Sequence, residues 1–182
     1  MADTESAVLV VVREAEPVVG RFRENLDRSA GRGVPPHVTV LYPFLPPDRI
    51  DASAIECLSE AVAIVSAFEM SFPRLAWFDD KVLWLAPEPD QPLRALTAAV
   101  YACFPDHPPY GGEHDDLIPH LTVGHNWPVD VLRSAAAEVE PQLPIRVSVS
   151  AVELLVGSAE PNSWRTIATL ALGAGPATVD IA

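Results

Sequence analysis

The spacing of apolar residues along the chain predicts an alternation of strands and helices. Short runs of β-branched and other apolar residues bounded by proline, glycine or acidic residues are typical of strands, whereas apolar residues three and four positions apart are typical of amphipathic helices. Strands are predicted at residues 8–12, 36–40, 68–78, 82–86, 119–123, 145–156 and 164–172. Helices are predicted at residues 16–28, 51–67, 92–104 and 129–140.

Helices that alternate with strand pairs are typical of an α+β fold. Segments 68–78 and 82–86 predict a hairpin that turns at Asp79, Asp80 and Lys81, and segments 145–156 and 164–172 predict a closing hairpin. At 182 residues the chain fits a single domain, with lobes of roughly residues 1–86 and 87–182.

One short pattern occurs twice: residues 36–40 read Pro-His-Val-Thr-Val, and residues 119–123 read Pro-His-Leu-Thr-Val. Side chains at positions i and i+2 of a strand lie on the same face. His37 and Thr39 should therefore project together, as should His120 and Thr122, while the apolar residues between them face the core. Two such strands side by side would line a cleft with two imidazoles and two hydroxyls.

These four side chains would place an acid, a base and two neutral hydrogen-bond donors around one small anionic group. Histidine titrates near pH ~6.5, so one imidazole can accept a proton while the other, protonated, donates one. The threonine hydroxyls can donate hydrogen bonds to oxygens of that anion, where charge accumulates during a reaction. No metal or other cofactor is required, and both limbs of the pH–rate profile should be set by histidine-like pKa values within a few units of ~6.5.

The paired motifs resemble those of the two-histidine phosphoesterase superfamily, and more closely its 2′-5′ RNA ligase-like branch. The first motif with its flanks spans residues 33–44, and the second is accompanied by Phe104-Pro105 and by Pro109 to Gly112. The resemblance implies a bilobal, pseudo-twofold fold in which antiparallel sheets, flanked by helices, surround a central cleft. It also implies that His120 is the base and His37 the acid, although the reverse assignment remains open.

The expected activity is hydrolysis of a cyclic (2′,3′- or similar) or 2′-5′ phosphodiester in a nucleotide or short RNA end, in a bacterial RNA-processing context. Two alternatives use the same residues. One is a nucleotide sensor without turnover, and the other is a hydrolase of cyclic oligonucleotide signals. Two intact His-Thr pairs favour an enzyme, because a sensor needs hydrogen-bond donors but not two proton-transfer groups.

Two further residues are candidate substrate-binding groups. Tyr110 lies in a Pro-Pro-Tyr-Gly-Gly loop, where it could stack on a base or simply anchor the loop. Arg165, beside Trp164 in the closing hairpin, is a candidate phosphate clamp. His125 has the opposite strand parity to His120 and should point away from the cleft. All four tryptophans are expected in or near the core.

A metal site is the competing interpretation of the second motif. His114, Asp115 and Asp116 precede His120, but no pair of ligands has the i,i+4 spacing of a helical site. The sequence therefore predicts no metal.

Charge and composition constrain the partners. A net charge of −13 without a basic run argues against long nucleic acids, which bind through phosphate neutralisation. A small nucleotide or short oligonucleotide is the expected partner of a protein predicted to be a monomer. No apolar run is long enough for a membrane span, and residues 1–6 lack the basic start of a secretory signal. A cytoplasmic location, with Cys57 and Cys103 as free buried thiols, is expected.

Overall fold

Two four-stranded antiparallel sheets form the centre of the computed structural model, which describes residues 3–112 and 117–173. The strands are β1 (Glu5–Val11), β2 (His37–Leu41), β3 (Phe68–Phe78), β4 (Val82–Glu88), β5 (Leu121–His125), β6 (Ile145–Val149), β7 (Ala151–Gly157) and β8 (Arg165–Ala171). The first sheet has the order β2-β1-β7-β8, and the second has the order β5-β4-β3-β6. The predicted α+β class with antiparallel sheets is confirmed.

Five α-helices flank the sheets in the described residues: α1 (Glu16–Leu26), α2 (Arg28–Gly31), α3 (Ala52–Ala63), α4 (Gln91–Cys103) and α5 (Val129–Val139). Helices α3 and α4 pack against the first sheet, whereas α1 and α5 pack against the second. Helix α1 therefore follows β1 in the chain but packs against the sheet to which β1 does not belong. The two sheets carry β2 and β5 at equivalent edges, as the predicted pseudo-twofold arrangement requires.

Helix α3 begins as predicted but ends earlier. The Asp51 carboxylate accepts a hydrogen bond from the Ala54 amide at 2.9 Å, which caps the first turn. The helix stops at Ala63 rather than near residue 67, because Val65 and Ala67 exchange backbone hydrogen bonds with Gly173. A long-range pairing that sequence spacing does not reveal therefore ends the helix.

The predicted strand over residues 145–156 is wrong. It consists of two strands, because the chain leaves the second sheet after β6 and enters the first sheet as β7, with Ser150 between them. The closing hairpin is formed by β7 and β8 alone. Each sheet therefore takes strands from both halves of the chain, and the sheets do not divide at residue 86.

The two cysteines form a disulfide, so the prediction of free thiols is wrong. Cys57 of α3 and Cys103 of α4 are bonded, with their Cα atoms 6.6 Å apart. These residues are 46 positions apart in the chain, and only the packing of α3 against α4 brings them together. Composition and spacing carry no sign of that contact.

The core is a continuous apolar cluster to which both sheets and the long helices contribute. A second, smaller cluster covers the other face of the first sheet and consists of Ala7, Leu9, Val34, Leu155 and Trp164. Strand β1 is buried along most of its length because it lies between these two clusters. Trp127, which was expected in or near the core, is 47% exposed. Among the described residues, no helix has the length and apolar character that crossing a bilayer requires.

Candidate active site

The site forms where the edge strands of the two sheets meet. Strands β2 and β5 are in contact, although each belongs to a different sheet. Their motif residues open onto one cavity of about 710 Å³, which is lined by Asp27, Ser29, His37, Thr39, Tyr42, Phe78, Val82, Tyr110, Leu117, Ile118, His120, Thr122 and His125. The structure therefore brings His37, Thr39, His120 and Thr122 together.

The first motif is positioned by regular strand alternation. Val38 and Val40 are 1% and 2% exposed, whereas the residues on either side of Val38 are only half-buried. Antiparallel pairing places Thr39 opposite Leu9 and His37 opposite Val11 of the central strand β1. Packing of the two valines in the core thus directs His37 and Thr39 into the cavity.

Both imidazoles are oriented by the same local hydrogen bond. The His37 Nδ1–H donates to the Pro35 carbonyl at 2.8 Å, and the His120 Nδ1–H donates to the Ile118 carbonyl at 2.7 Å. A carbonyl is only an acceptor, so Nδ1 carries the hydrogen in each ring and Nε2 of the neutral ring is left with a lone pair. No protein group of residues 3–112 and 117–173 forms a hydrogen bond to either Nε2 atom. Two basic nitrogens are therefore available at the site.

The pKa of both histidines is lowered. Burial, followed by the nearby positive charge of Arg23, lowers the pKa of His37 to about 4. Burial also lowers the pKa of His120, and the neighbouring His125 adds to this effect. Both rings are consequently neutral at pH 7 in the free protein, whereas the sequence predicted one neutral and one protonated ring at working pH.

A buried charged network lies next to His37. Arg23 is 2% exposed, and its guanidinium donates to the Asp27 carboxylate at 2.9 Å, to the Ser29 hydroxyl at 3.0 Å and to the Val34 carbonyl at 3.3 Å. The Arg23 charge lowers the pKa of His37, while the charge of Asp27 partly opposes that effect. Sequence reasoning missed this network because Arg23 looks like an ordinary polar position of a surface helix.

Aromatic rings surround His120. The Phe78 ring meets it edge-to-face at 5.0 Å between centroids, and the Trp84 ring does so at 5.8 Å. Phe78 and Trp84 are themselves stacked at 4.7 Å. Trp84 lies opposite Thr122 in the pairing of β4 with β5, so the hairpin that was predicted from sequence supplies these rings. An apolar wall of this kind accounts for the desolvation of His120.

Tyr110 belongs to the wall of the cavity. Its backbone has a positive φ of 51°, its N–H donates to the Tyr42 carbonyl at 2.7 Å, and its side chain lines the cavity together with Thr39. Burial raises the pKa of the phenol. The residue thus anchors its loop and also lines the cavity next to a motif hydroxyl.

The structure places Arg165 away from this cavity. Arg165 begins β8, and its guanidinium donates two hydrogen bonds of 2.8 Å to the Asp3 carboxylate. It lines none of the cavities that contain His37 or His120. The sequence could not show this pairing, because Asp3 and Arg165 are 162 positions apart.

The orientation predicted for His125 is wrong. Strand β5 pairs Thr122 with Trp84 and Gly124 with Leu83, so Val123 is an extra residue that forms a bulge. Val123 and Gly124 are both buried, and the alternation of faces shifts by one position. His125 consequently returns to the side of Thr122 and lines the cavity. A bulge depends on the partner strand and leaves no clear sign in one strand's sequence.

The predicted metal alternative depends on residues that the structure does not describe. His114, Asp115 and Asp116 lie outside the described ranges. Among residues 3–112 and 117–173, no group of three or more metal-ligating side chains has a geometry that could hold an ion.

Comparison with known proteins identifies relatives of this arrangement. A family model described as the 2′-5′ RNA ligase superfamily matches residues 11–160. The structure is similar to apo LigT from E. coli, with a TM-score of 0.58, 18% sequence identity and coverage of 95% of this chain and 99% of LigT. Among curated proteins, no sequence matches the chain.

Two further solved structures are similar. LigT from E. coli in complex with 3′-AMP has a TM-score of 0.57 at 17% identity, over 94% of this chain and 99% of that one. TT0787 from Thermus thermophilus has a TM-score of 0.60 at 16% identity, over 94% of this chain and 100% of that one. At these identities the likeness establishes the fold, and the family match over residues 11–160 establishes the membership.

Proposed function

Because the chain belongs to the 2′-5′ RNA ligase superfamily of two-histidine phosphoesterases, we propose that it hydrolyses a cyclic (2′,3′- or similar) or 2′-5′ phosphodiester of a nucleotide or short RNA end. The observation that supports this most strongly is the pair of imidazoles at one cavity. His37 begins β2 and His120 directly precedes β5, which belong to different sheets, and each ring is held by the same Nδ1–carbonyl hydrogen bond. The side chains of the site suffice for the proton transfers, so the proposed reaction needs no metal.

For a cyclic phosphate, the reaction needs one neutral and one protonated imidazole. The neutral ring takes a proton from water while the water oxygen bonds to phosphorus. The bond from phosphorus to one ribose oxygen breaks, and the protonated ring gives its proton to that oxygen. The product is a terminal phosphate monoester. The two imidazoles have then exchanged protonation states, and proton exchange with solvent restores the initial state of the site.

In this scheme His120 is the base and His37 is the acid, with the reverse assignment as the alternative. Both rings are neutral in the free protein at pH 7, so the acid must acquire its proton together with the substrate. A phosphodiester anion between the rings favours the charged form of an imidazole and raises its pKa. The substrate itself therefore supplies the charge that activates the acid.

Hydroxyl groups on both strands can stabilise the transition state. Thr122 and Thr39 line the same cavity as the imidazoles, and so does Tyr110. Donors that are already positioned where charge develops on the phosphate oxygens typically contribute about 2.7–4 kcal/mol each. In this proposal Thr39 and Thr122 serve as these donors, and Tyr110 forms part of the surrounding wall.

The first test compares His37→Ala and His120→Ala with His107→Ala as the matched control. His107 lies in the described loop and lines no cavity at the site. Turnover of 2′,3′-cyclic mononucleotides and of a 2′-5′ dinucleotide should fall by at least about 10²-fold in the first two variants, because each loses a proton-transfer group. The His107 variant should keep its rate. Near-full activity in either motif variant would disprove the acid–base pair.

A second measurement assigns the acid and the base. An aryl phosphodiester such as a p-nitrophenyl ester has a leaving group that needs little protonation, so loss of the acid should matter less than loss of the base. If His37 is the acid, His37→Ala should lose much less activity on the aryl ester than on the cyclic nucleotide, whereas His120→Ala should lose activity on both. The opposite result would reverse the assignment.

The low pKa of both histidines favours one alternative, a nucleotide sensor. A cavity whose two imidazoles are neutral at pH 7 lacks a preformed proton donor and could bind a nucleotide without cleaving it. In that case cyclic and 2′-5′ phosphodiesters would bind in a histidine-dependent manner and remain intact for hours. Product formation that depends on both histidines would exclude the sensor.

A further inference from the structure

A second cavity of about 370 Å³ opens off the proposed active site on the His37 side. It shares His37, Thr39 and His125 with the main cavity and extends to Arg28 and Arg32. We call this extension the arginine annex and define it by Arg28, Arg32, Tyr42 and Trp164. Because residues of the first motif line both cavities, the annex adjoins the space between the two histidines.

The two arginines carry positive charge that no carboxylate in the described residues offsets through an ion pair. Ion pairs in the described ranges involve other arginines, including Arg23 with Asp27. Asp27 also lines the annex, but its carboxylate is bonded to Arg23 at 2.9 Å and to the Ser29 hydroxyl at 2.7 Å. In a chain with a net charge of −13, two guanidinium groups without a carboxylate partner among residues 3–112 and 117–173 mark a local anion site beside the active site.

The floor of the annex is aromatic and apolar. Tyr42 and Trp164 lie with their ring centroids 6.5 Å apart, and Ala7, Leu9 and Val34 complete the surface. The Trp164 indole N–H donates to the Ser158 carbonyl at 2.9 Å, which fixes the ring in its place. A cationic rim above an aromatic floor suits a nucleotide fragment, because guanidinium binds phosphate and the floor packs against a sugar or base.

We propose that the arginine annex binds a second phosphate of the substrate, located across one ribose from the reactive phosphodiester. The inference rests on the proposed function and makes it more specific. Such a phosphate is present at the end of an oligonucleotide, where the terminal nucleotide carries a 5′-phosphodiester, and is absent from a cyclic mononucleotide. The preferred substrate is then an oligonucleotide end or a nucleotide that bears a 5′-phosphate.

The test measures binding and does not depend on turnover. Calorimetric titration at constant ionic strength compares adenosine 3′-monophosphate with adenosine 3′,5′-bisphosphate. The wild-type protein should bind the bisphosphate at least about 10-fold more tightly, since charge-assisted hydrogen bonds of this kind are worth about one order of magnitude or more. In Arg28→Gln/Arg32→Gln the ratio of the two dissociation constants should approach one.

Arg49→Gln is the matched control, because Arg49 is exposed and lines no cavity around the histidines. It should keep the wild-type ratio, and Arg32→Lys should keep part of it because the charge remains. Three outcomes would contradict the proposed annex. The ratio could be near one in the wild type, it could persist in the double variant, or it could be lost equally in the Arg49 variant. Cleavage assays with adenosine 2′,3′-cyclic phosphate test the proposed function separately, so the two failures are distinguishable.

Discussion

The orientation of each active-site histidine depends on the few residues that precede it. In both motifs a proline separates the ring from the carbonyl that accepts its Nδ1–H, namely that of Pro35 or Ile118. Two histidines 83 positions apart therefore present the same tautomer by the same local device. Their lowered pKa values have different secondary causes, because Arg23 lies near His37 and His125 lies near His120.

Binding of a phosphate ligand should be accompanied by proton uptake. Both imidazoles are neutral in the free protein at pH 7, and an anion between them raises the pKa of at least one. Calorimetry of adenosine 3′-monophosphate binding in PIPES and in Tris, which differ in ionisation enthalpy, should reveal uptake of up to about one proton. His107→Gln should behave like the wild type, and the uptake should fall in His37→Gln or His120→Gln. Binding with no proton uptake would contradict the assigned protonation states.

Replacement of His125 should change the titration of His120. The electrostatic influence of the neighbouring His125 lowers the pKa of His120, so His125→Asn should raise it. The rise should be smaller than the effect of burial, which is the principal cause of the lowered value. NMR titration of the His120 ring measures this directly, with His107→Asn as the control. An unchanged or lower pKa in His125→Asn would show that the two rings do not interact.

At the scale of secondary structure, the bulge in β5 shapes the site. Val123 is the extra residue. Because of the bulge, both Val123 and Gly124 face the helices that cover the second sheet. A Cβ atom added at Gly124 would lie 2.6 Å from Leu132 Cδ2 and 3.1 Å from Leu26 Cβ. Glycine therefore allows α1 and α5 to approach β5 while Thr122 and His125 face the cavity.

Substitution of this glycine should destabilise the fold. Gly124→Ala forces the added methyl group against two buried leucines and should lower the free energy of unfolding by about 1–3 kcal/mol. Urea denaturation measures the change. Gly31→Ala is the matched control, because an added Cβ there meets nothing within 4 Å, and it should be neutral or slightly stabilising. Equal stability of Gly124→Ala and the wild type would show that β5 has room to move.

For the molecule as a whole, the lowered pKa of His37 couples stability to pH. The folded-state value of about 4 lies below the unfolded value of 6.5, so the unfolded chain binds more protons between these limits. The contribution of neutral His37 to the free energy of unfolding is therefore fully present above pH 6.5 and is lost as the pH falls towards 4. By linkage the loss is at most about 3 kcal/mol.

The His37 contribution can be separated from that of the acidic residues by difference. Urea denaturation of the wild type and of His37→Gln between pH 7.5 and 4 should give curves that converge or cross on acidification, because the variant lacks the titrating ring. His107→Gln should run parallel to the wild type. Parallel curves for His37→Gln would show that His37 has an ordinary pKa in the folded protein.

Local patterns in the sequence determined much of this protein. Strand alternation placed His37 with Thr39 and His120 with Thr122, and the spacing of apolar residues located four long helices and most strands. These features depend on backbone geometry over two to four residues. The periodicity of apolar and polar residues in the sequence reflects that geometry directly. The repeated motif also indicated the family that the match over residues 11–160 establishes.

Only the tertiary structure decided which distant segments meet. The contact of β2 with β5, the division of residues 145–156 between two sheets and the Cys57–Cys103 disulfide all join parts of the chain that carry no shared local signal. The bulge that turns His125 inward depends on its pairing with β4, and Arg28 and Arg32 become an annex because the first sheet brings Tyr42 and Trp164 beside them. Such contacts depend on burial and strand pairing over the whole molecule. For this reason the site contains residues that its two motifs did not predict.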